Sequence, residues 1–247
     1  PHNSAPGPGK GKISFHRCPD AQERKEIRDG IHHFALFFQK PLCYNPIETK
    51  RRIAAAGKGK VSMAYLICTQ PVNPRMDALP AYKIIHYPLE KRDYKPFAQV
   101  KLCLTPQELV VQMWAFEMLP RPESNLQGLL TADGSRRLWL RAWPDGRWEC
   151  TADGPEGSRK LDAIAHTLDG EDLQGIYWGM SIRVPLRQAQ QVLGAENLRP
   201  GGHLLGNFYK LSDNRDKPHK GSLYPADFAG ERPYALPSLG QFQVVNY

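Results

Sequence analysis

The chain has 247 residues and a formal charge of +8, with 41% hydrophobic and 23% charged residues. That length can bury a substantial core, and that make-up belongs to a globular protein, not a disordered or fibrous one. No run of about 18 apolar residues exists, so the sequence offers no membrane-spanning helix; the positive balance at first points to a polyanion.

The charge is uneven. Residues 1–62 hold 12 Lys and Arg against 5 Asp and Glu, whereas the rest hold 21 against 20. The first twelve residues are rich in Pro, Gly and Lys, as in a flexible tail. Residues 20–40 could form one helix, with Ile27, Ile31 and Phe34 on a ragged apolar face. The stretch lacks the continuous apolar centre and small-residue cleavage site of a secretory signal. Residues 53–60, IAAAGKGK, read as linker. Gly and Lys codons are purine-rich, so GKGK just before Met63 fits a ribosome-binding site read in frame. The expectation is therefore a basic extension over 1–62, poorly structured or partly helical, with the biological start at Met63. A nearly neutral domain follows over 63–247, and it gives no electrostatic reason to expect nucleic acid or membrane as a partner. The cytoplasm is the expected compartment.

From Met63 onward the pattern is that of strands. Over Phe97–Leu104, Ala98, Val100, Leu102 and Leu104 share one face; a Thr-Pro-Gln-Glu turn follows, and residues 109–118 read as the return strand of a hairpin. Leu138, Leu140 and Ala142 alternate with Arg137, Trp139, Arg141 and Trp143. Pro144-Asp145-Gly146 is a turn signal, and Trp148, Cys150 and Ala152 lie on the next strand. Ile176, Trp178, Met180, Ile182 and Val184 give the clearest two-residue period. Residues 185–193 are the one helical stretch, with Pro185 in the first turn and Gly194 as its cap. Residues 206–211 and 241–247 are further strands. Short strands, Gly/Pro turns and little helix predict an all-β protein: an antiparallel β-sandwich with one short helix, ahead of a closed barrel.

The five cysteines, Cys18, Cys43, Cys68, Cys103 and Cys150, show no CxxC spacing. Their odd number and apolar contexts fit reduced thiols rather than a zinc site.

The most specific text lies near the C-terminus: Gly206-Asn207-Phe208-Tyr209-Lys210-Leu211, then Pro218-His219-Lys220-Gly221-Ser222-Leu223-Tyr224, then Leu239-Gly240-Gln241-Phe242. It resembles the C-terminal signature of family 9 carbohydrate-binding-module-like proteins. The segment from Phe97 to Pro120, with Glu117 shortly before Pro120, resembles that family's early hairpin. Leu223-Tyr224 stands where the family commonly has Trp, and its S-C-x-E-F-F strand is missing between Pro120 and Arg136. The resemblance implies a β-sandwich and binding of a mono- or oligosaccharide, with a link to carbohydrate catabolism in a bacterium.

Sugar recognition needs flat apolar faces for C–H groups and planar polar groups for hydroxyls. With Leu138, Leu140 and Ala142 on the core side, Trp139, Arg141 and Trp143 fall together on the other face, a candidate sugar platform unless a loop covers it. Tyr177 and Arg183 are the outward candidates on their strand, opposite Trp178, which reads as core; Trp114, on the face of Val110 and Phe116, reads as core too. Asn207, Tyr209, Lys210 and His219 carry the family signature in a structural or a binding role; an Asn there can lock a loop by bonding backbone groups.

Residues 212–216 (SDNRD) and 169–172 (DGED) cluster oxygens; the first lacks the Gly and distal Glu of a calcium loop and reads as a polar turn, the second reads as a solvated loop, so no cofactor or metal is expected. Glu117, Glu149, Glu171 and Asp172 come with no catalytic motif. The expected function is non-catalytic carbohydrate binding. An interaction module that has lost the sugar site comes second, a glycoside hydrolase third and nucleic-acid binding through the extension fourth.

Overall fold

The computed structural model describes residues 63–92 and 96–247; the expected extension over 1–62 lies outside the described residues. Thirteen strands and one helix follow in chain order. They are β1 (Tyr65–Thr69), β2 (Tyr82–Ile84), β3 (Phe97–Leu104), β4 (Glu108–Phe116), β5 (Ser124–Thr131), β6 (Arg137–Ala142) and β7 (Trp148–Gly154). Then come β8 (Gly157–Lys160), β9 (Ile164–Asp172), β10 (Gly175–Pro185), α1 (Leu186–Leu193), β11 (His203–Ser212), β12 (His219–Ser222) and β13 (Gly240–Val245).

The strands form one continuous sheet in the order β8-β7-β6-β5-β11-β13-β1-β3-β4-β10-β9, with β12 on β11 and β2 on β3. The sheet curls so that its halves face each other as a sandwich, and β10 packs across the interior from β6 and β7. Its pairing is mixed, which corrects the expected antiparallel arrangement. β1 runs parallel to both β13 and β3, with Ile67 beside Val244 and Cys68 beside Cys103. The cause is topological: β1 is inserted between the two halves and joins strands distant in the chain, and a strand's alternation does not encode the direction of its neighbours.

The core lies between the halves. Val100, Leu102, Val111, Met113, Met180 and Ile182 from one half meet Leu126, Leu138, Leu140, Phe208 and Phe242 from the other. The hairpin forms with Ala98 opposite Ala115 and Leu104 opposite Leu109. Helix α1 closes one side with Ala189, Val192 and Leu193. Pro185 is its N-cap residue, one position earlier than expected, and Gly194 ends it at φ 82°, a conformation that L side chains rarely adopt. Gly179 admits a close backbone approach: a Cβ there would stand 2.1 Å from the Met113 carbonyl oxygen.

Two outer faces are covered. The segment between β12 and β13 lies over β5, β6 and β11, where Phe228 and Tyr234 pack on Leu129, Trp139 and Tyr209. On the other half, the 3-10 turn Met76–Ala78 and Leu79 cover Cys68, Cys103 and Val110. Trp114 shares the face of Val110 as expected, but that is the outer face. It is half-buried, with the Lys101 ammonium 5.8 Å from its ring centre.

Candidate functional site

The C-terminal signature builds two structures, one on each side of β11. On the outer side Asn207, fully buried, acts as a clamp. Its Nδ2 donates to the carbonyls of Tyr224 (3.0 Å) and Ser238 (2.8 Å), and its Oδ1 accepts from the amides of Phe208 (2.8 Å), Leu223 (3.1 Å) and Tyr224 (3.0 Å). One planar side chain thus ties both ends of the covering segment to the sheet. Tyr209, also fully buried, donates its hydroxyl to the Pro233 carbonyl at 2.7 Å and holds the middle of that segment.

On the inner side, Lys210 follows Leu204, Gly206 and Phe208 in the alternation and points into the open end of the sandwich. It is fully buried, and its three protons have three acceptors: Ser124 Oγ at 2.7 Å, His219 Nε2 at 2.9 Å and Glu117 Oε2 at 3.1 Å. Glu117 also accepts from Ser124 Oγ at 2.9 Å and from the Trp178 indole at 3.0 Å. His219 Nδ1 donates to the Lys217 carbonyl at 3.1 Å, which fixes the tautomer that leaves Nε2 free to accept. The Lys210 ammonium lies 5.6 Å from the Trp178 ring centre. The network joins β5, β10, β11, β12 and the residue that follows β4, so it pins the two halves together.

Burial pushes the Glu117 carboxyl up, but the Lys210 charge and the hydrogen bonds from Trp178, Lys210 and Ser124 outweigh it and hold the group below its ordinary range. Burial lowers Lys210, with partial compensation by Glu117. Burial, and then the neighbouring Lys210 charge, push His219 down to about 4. Glu117 is thereby held as the partner of Lys210, with Ser124 and Trp178 as its other donors. Sequence reasoning named it only as an unsupported catalytic candidate and as part of the family-like hairpin.

The expected platform residues do not converge as a set. Trp139 is 6% exposed and belongs to the packed cluster under the covering segment, with the Tyr234 ring edge-on at 5.0 Å and the Arg141 guanidinium over its face at 4.8 Å. It therefore cannot itself stack on a sugar, because the covering segment occupies that face. Trp143 lies past the end of β6, where it lines a small cleft with Thr167, Asp169 and Trp178; Arg147 stacks on it at 5.1 Å. Tyr177 and Arg183 sit on the outer face of the other half. Tyr177 packs edge-on against Phe116 at 5.7 Å, and Arg183 pairs with Glu108 at 2.6 Å.

Of that set, Arg141 stands in a groove-like row. Tyr209, Gln127, Arg141 and Glu149 are successive register partners across β11, β5, β6 and β7. Arg141 bonds Glu149 at 3.1 Å. Tyr234, half-buried at the edge of the covering segment, donates its hydroxyl to Gln127 Oε1 at 3.0 Å, and Gln127 donates to Asn125 at 2.9 Å. The result is a shallow platform: one aromatic ring beside a guanidinium, two carboxamides and a carboxylate, all planar. Tyr234, Gln127 and Asn125 were missed in the sequence because they come from a segment without periodicity and from an unpredicted strand. The available signal was the recurrence of aromatic residues, Tyr224, Phe228 and Tyr234, in that segment.

Among the described residues no three His, Cys, Asp or Glu side chains gather as a metal site. In the 212–216 turn, Asn214 Oδ1 accepts from the amides of Asp216 and Lys217.

No family model matches the chain, and no curated protein matches it significantly in sequence. Solved structures do match. A candidate carbohydrate-binding protein from Bacteroides uniformis superposes with a TM-score of 0.56 at 16% identity, over 74% of this chain and 100% of that one. A family 9 carbohydrate-binding module from Caldicellulosiruptor kristjanssonii, in complex with cellotriose, superposes with a TM-score of 0.51 at 12% identity, over 75% and 95%. The chain thus shares the fold of family 9 carbohydrate-binding modules, as the C-terminal resemblance implied.

Proposed function

We propose that this chain is a non-catalytic carbohydrate-binding module that holds a sugar on the Tyr234–Arg141 platform. The observation that carries the reading is the row Gln127–Arg141–Glu149 beside the Tyr234 ring. Sugars present C–H faces and paired vicinal hydroxyls. A phenol ring meets the first, while a guanidinium, a carboxamide and a carboxylate in one row meet the second with both donors and acceptors. Because these groups are prepaired with one another, each sugar contact displaces an existing bond, so affinity is modest and selectivity follows hydroxyl geometry. The fold shared with sugar-binding modules supports the same reading. So does the engagement of Glu117 with Lys210, Ser124 and Trp178, which commits that carboxylate to the buried network. The buried thiols Cys68, Cys103 and Cys150, all free, support a reducing compartment for the protein.

A glycan array probed with the full chain tests the proposal. Retention on at least one class of mono- or oligosaccharide is expected, with loss in Tyr234→Ala and Arg141→Ala. Equal retention by both variants, or none by the parent, would overturn it and favour an interaction module.

A further inference from the structure

Three sulfur-bearing side chains share one small cluster on the outer face of the half opposite the platform. Cys68 on β1 and Cys103 on β3 are register partners in parallel strands, and both side chains point into the small cluster with Leu79 and Val110. They are 1% and 0% exposed. Met76, on the covering 3-10 turn, places Sδ 3.5 Å from Cys103 Sγ and is itself half-exposed. We infer that Cys68, Cys103 and Met76 form a three-sulfur site for a soft monovalent cation, cuprous ion being the one this donor set fits best.

The ligand chemistry supports that choice. Two thiols and a thioether form a soft set that selects Cu(I) over the hard divalent ions. The hydrophobic neighbours around the sulfurs are Leu79, Val110, Leu66 and Val245. Both thiols are free in the structure, so no disulfide claims the sulfurs. Met76 also supplies the route in: it is the half-exposed member, on a short turn at the surface, so the ion can meet the thioether first and pass to the thiols.

The step balances without an oxidant. Two S–H bonds break, two Cu–thiolate bonds and one bond from the Met76 thioether lone pair form, two protons leave to solvent, and copper stays cuprous. The resulting complex carries one negative charge. Lys101, whose ammonium donates to the Met76 carbonyl at 2.8 Å, stands beside the site to offset it; Arg183 and Glu108, paired with each other, act on Cys103 with opposite signs. Cys150, buried alone in the main core, is a built-in control.

The test is an anaerobic titration of the full chain carrying Cys18→Ser and Cys43→Ser, using Cu(I) supplied from a bicinchoninate complex. One equivalent of copper should be retained, and Cys150→Ser should retain it too. Cys68→Ser and Cys103→Ser should each lose it, with circular dichroism and melting temperature showing that the fold persists. Met76→Leu, which keeps the packing volume, should weaken retention by about tenfold, or about 1.4 kcal/mol. Equal retention in the Cys103→Ser chain would overturn the inference. So would no retention by the parent, an unchanged Met76→Leu chain, or a parent that emerges two hydrogens lighter as a disulfide.

Discussion

Replacing Lys210 by Met removes the one cation at the centre of the buried network while keeping a side chain of similar length. Glu117 then retains only Ser124 and Trp178 as donors, and His219 Nε2 loses its partner. Breaking a buried ion pair from one side costs about 3–5 kcal/mol. The Glu117 side chain is 17% exposed and can recruit water, which places this case at the low end, about 3 kcal/mol. For a domain of this size that lowers Tm by roughly 6–12 °C. Chemical denaturation of the Lys210→Met, Glu117→Gln and double-variant chains gives the coupling directly. The double variant should be less destabilised than the sum of the singles by about 2 kcal/mol. Additive losses, or a Lys210→Met penalty below about 1 kcal/mol, would refute the reading of this network as the pin between the halves.

Acid should act through His219. An unfolded chain protonates its imidazole near the ordinary value of 6.5, the native one only at about 4. As pH falls between those values the unfolded state therefore takes up the proton first, and up to about 3 kcal/mol of stability is lost. Urea midpoints from pH 7 to 4 should show the fall, and His219→Gln should flatten it. Although the Leu223 amide keeps the Phe208 carbonyl as an acceptor, Asn207→Ala should cost about 3 kcal/mol by removing five buried hydrogen bonds at once. Its loss should also expose the segment between β12 and β13 to protease. Gly179→Ala sets a Cβ against backbone at 2.1 Å and should cost more than the roughly 1–3 kcal/mol of ordinary overpacking; a soluble variant with unchanged Tm would contradict it. Trp139→Ala should cost about 3–5 kcal/mol as a core truncation, whereas Tyr234→Ala should spare stability by comparison and remove sugar binding.

The strands with strong alternation were legible. β3, β4, β6, β7 and β10 could be read from two-residue periods, because one face of each is buried. β9 was not: its exposed sheet-edge position leaves Ile164–Asp172 without an apolar face to mark it. β1 was missed as well, since five residues between two parallel neighbours give too short a period. The site was less legible than the fold. Trp139 and Arg141 were placed on the correct shared face, but nothing in the alternation shows that residues 223–239 lie over it. Glu117 and Lys210 are far apart in sequence, and no spacing rule links them. A lysine on the inward side of an otherwise apolar strand was the available clue, because a buried ammonium requires a partner carboxylate.

The central claim is that a sugar sits on the Gln127–Arg141–Glu149 row beside Tyr234. Amide and side-chain NMR shifts of the full chain, titrated with the best ligand from the glycan array, test it most directly. The account predicts that the perturbed signals cluster at Asn125, Gln127, Arg141, Glu149 and Tyr234, with the Arg141 guanidinium among the largest. Shifts confined to the Trp143–Asp169 cleft or to the outer face around Tyr177 and Arg183 would contradict it.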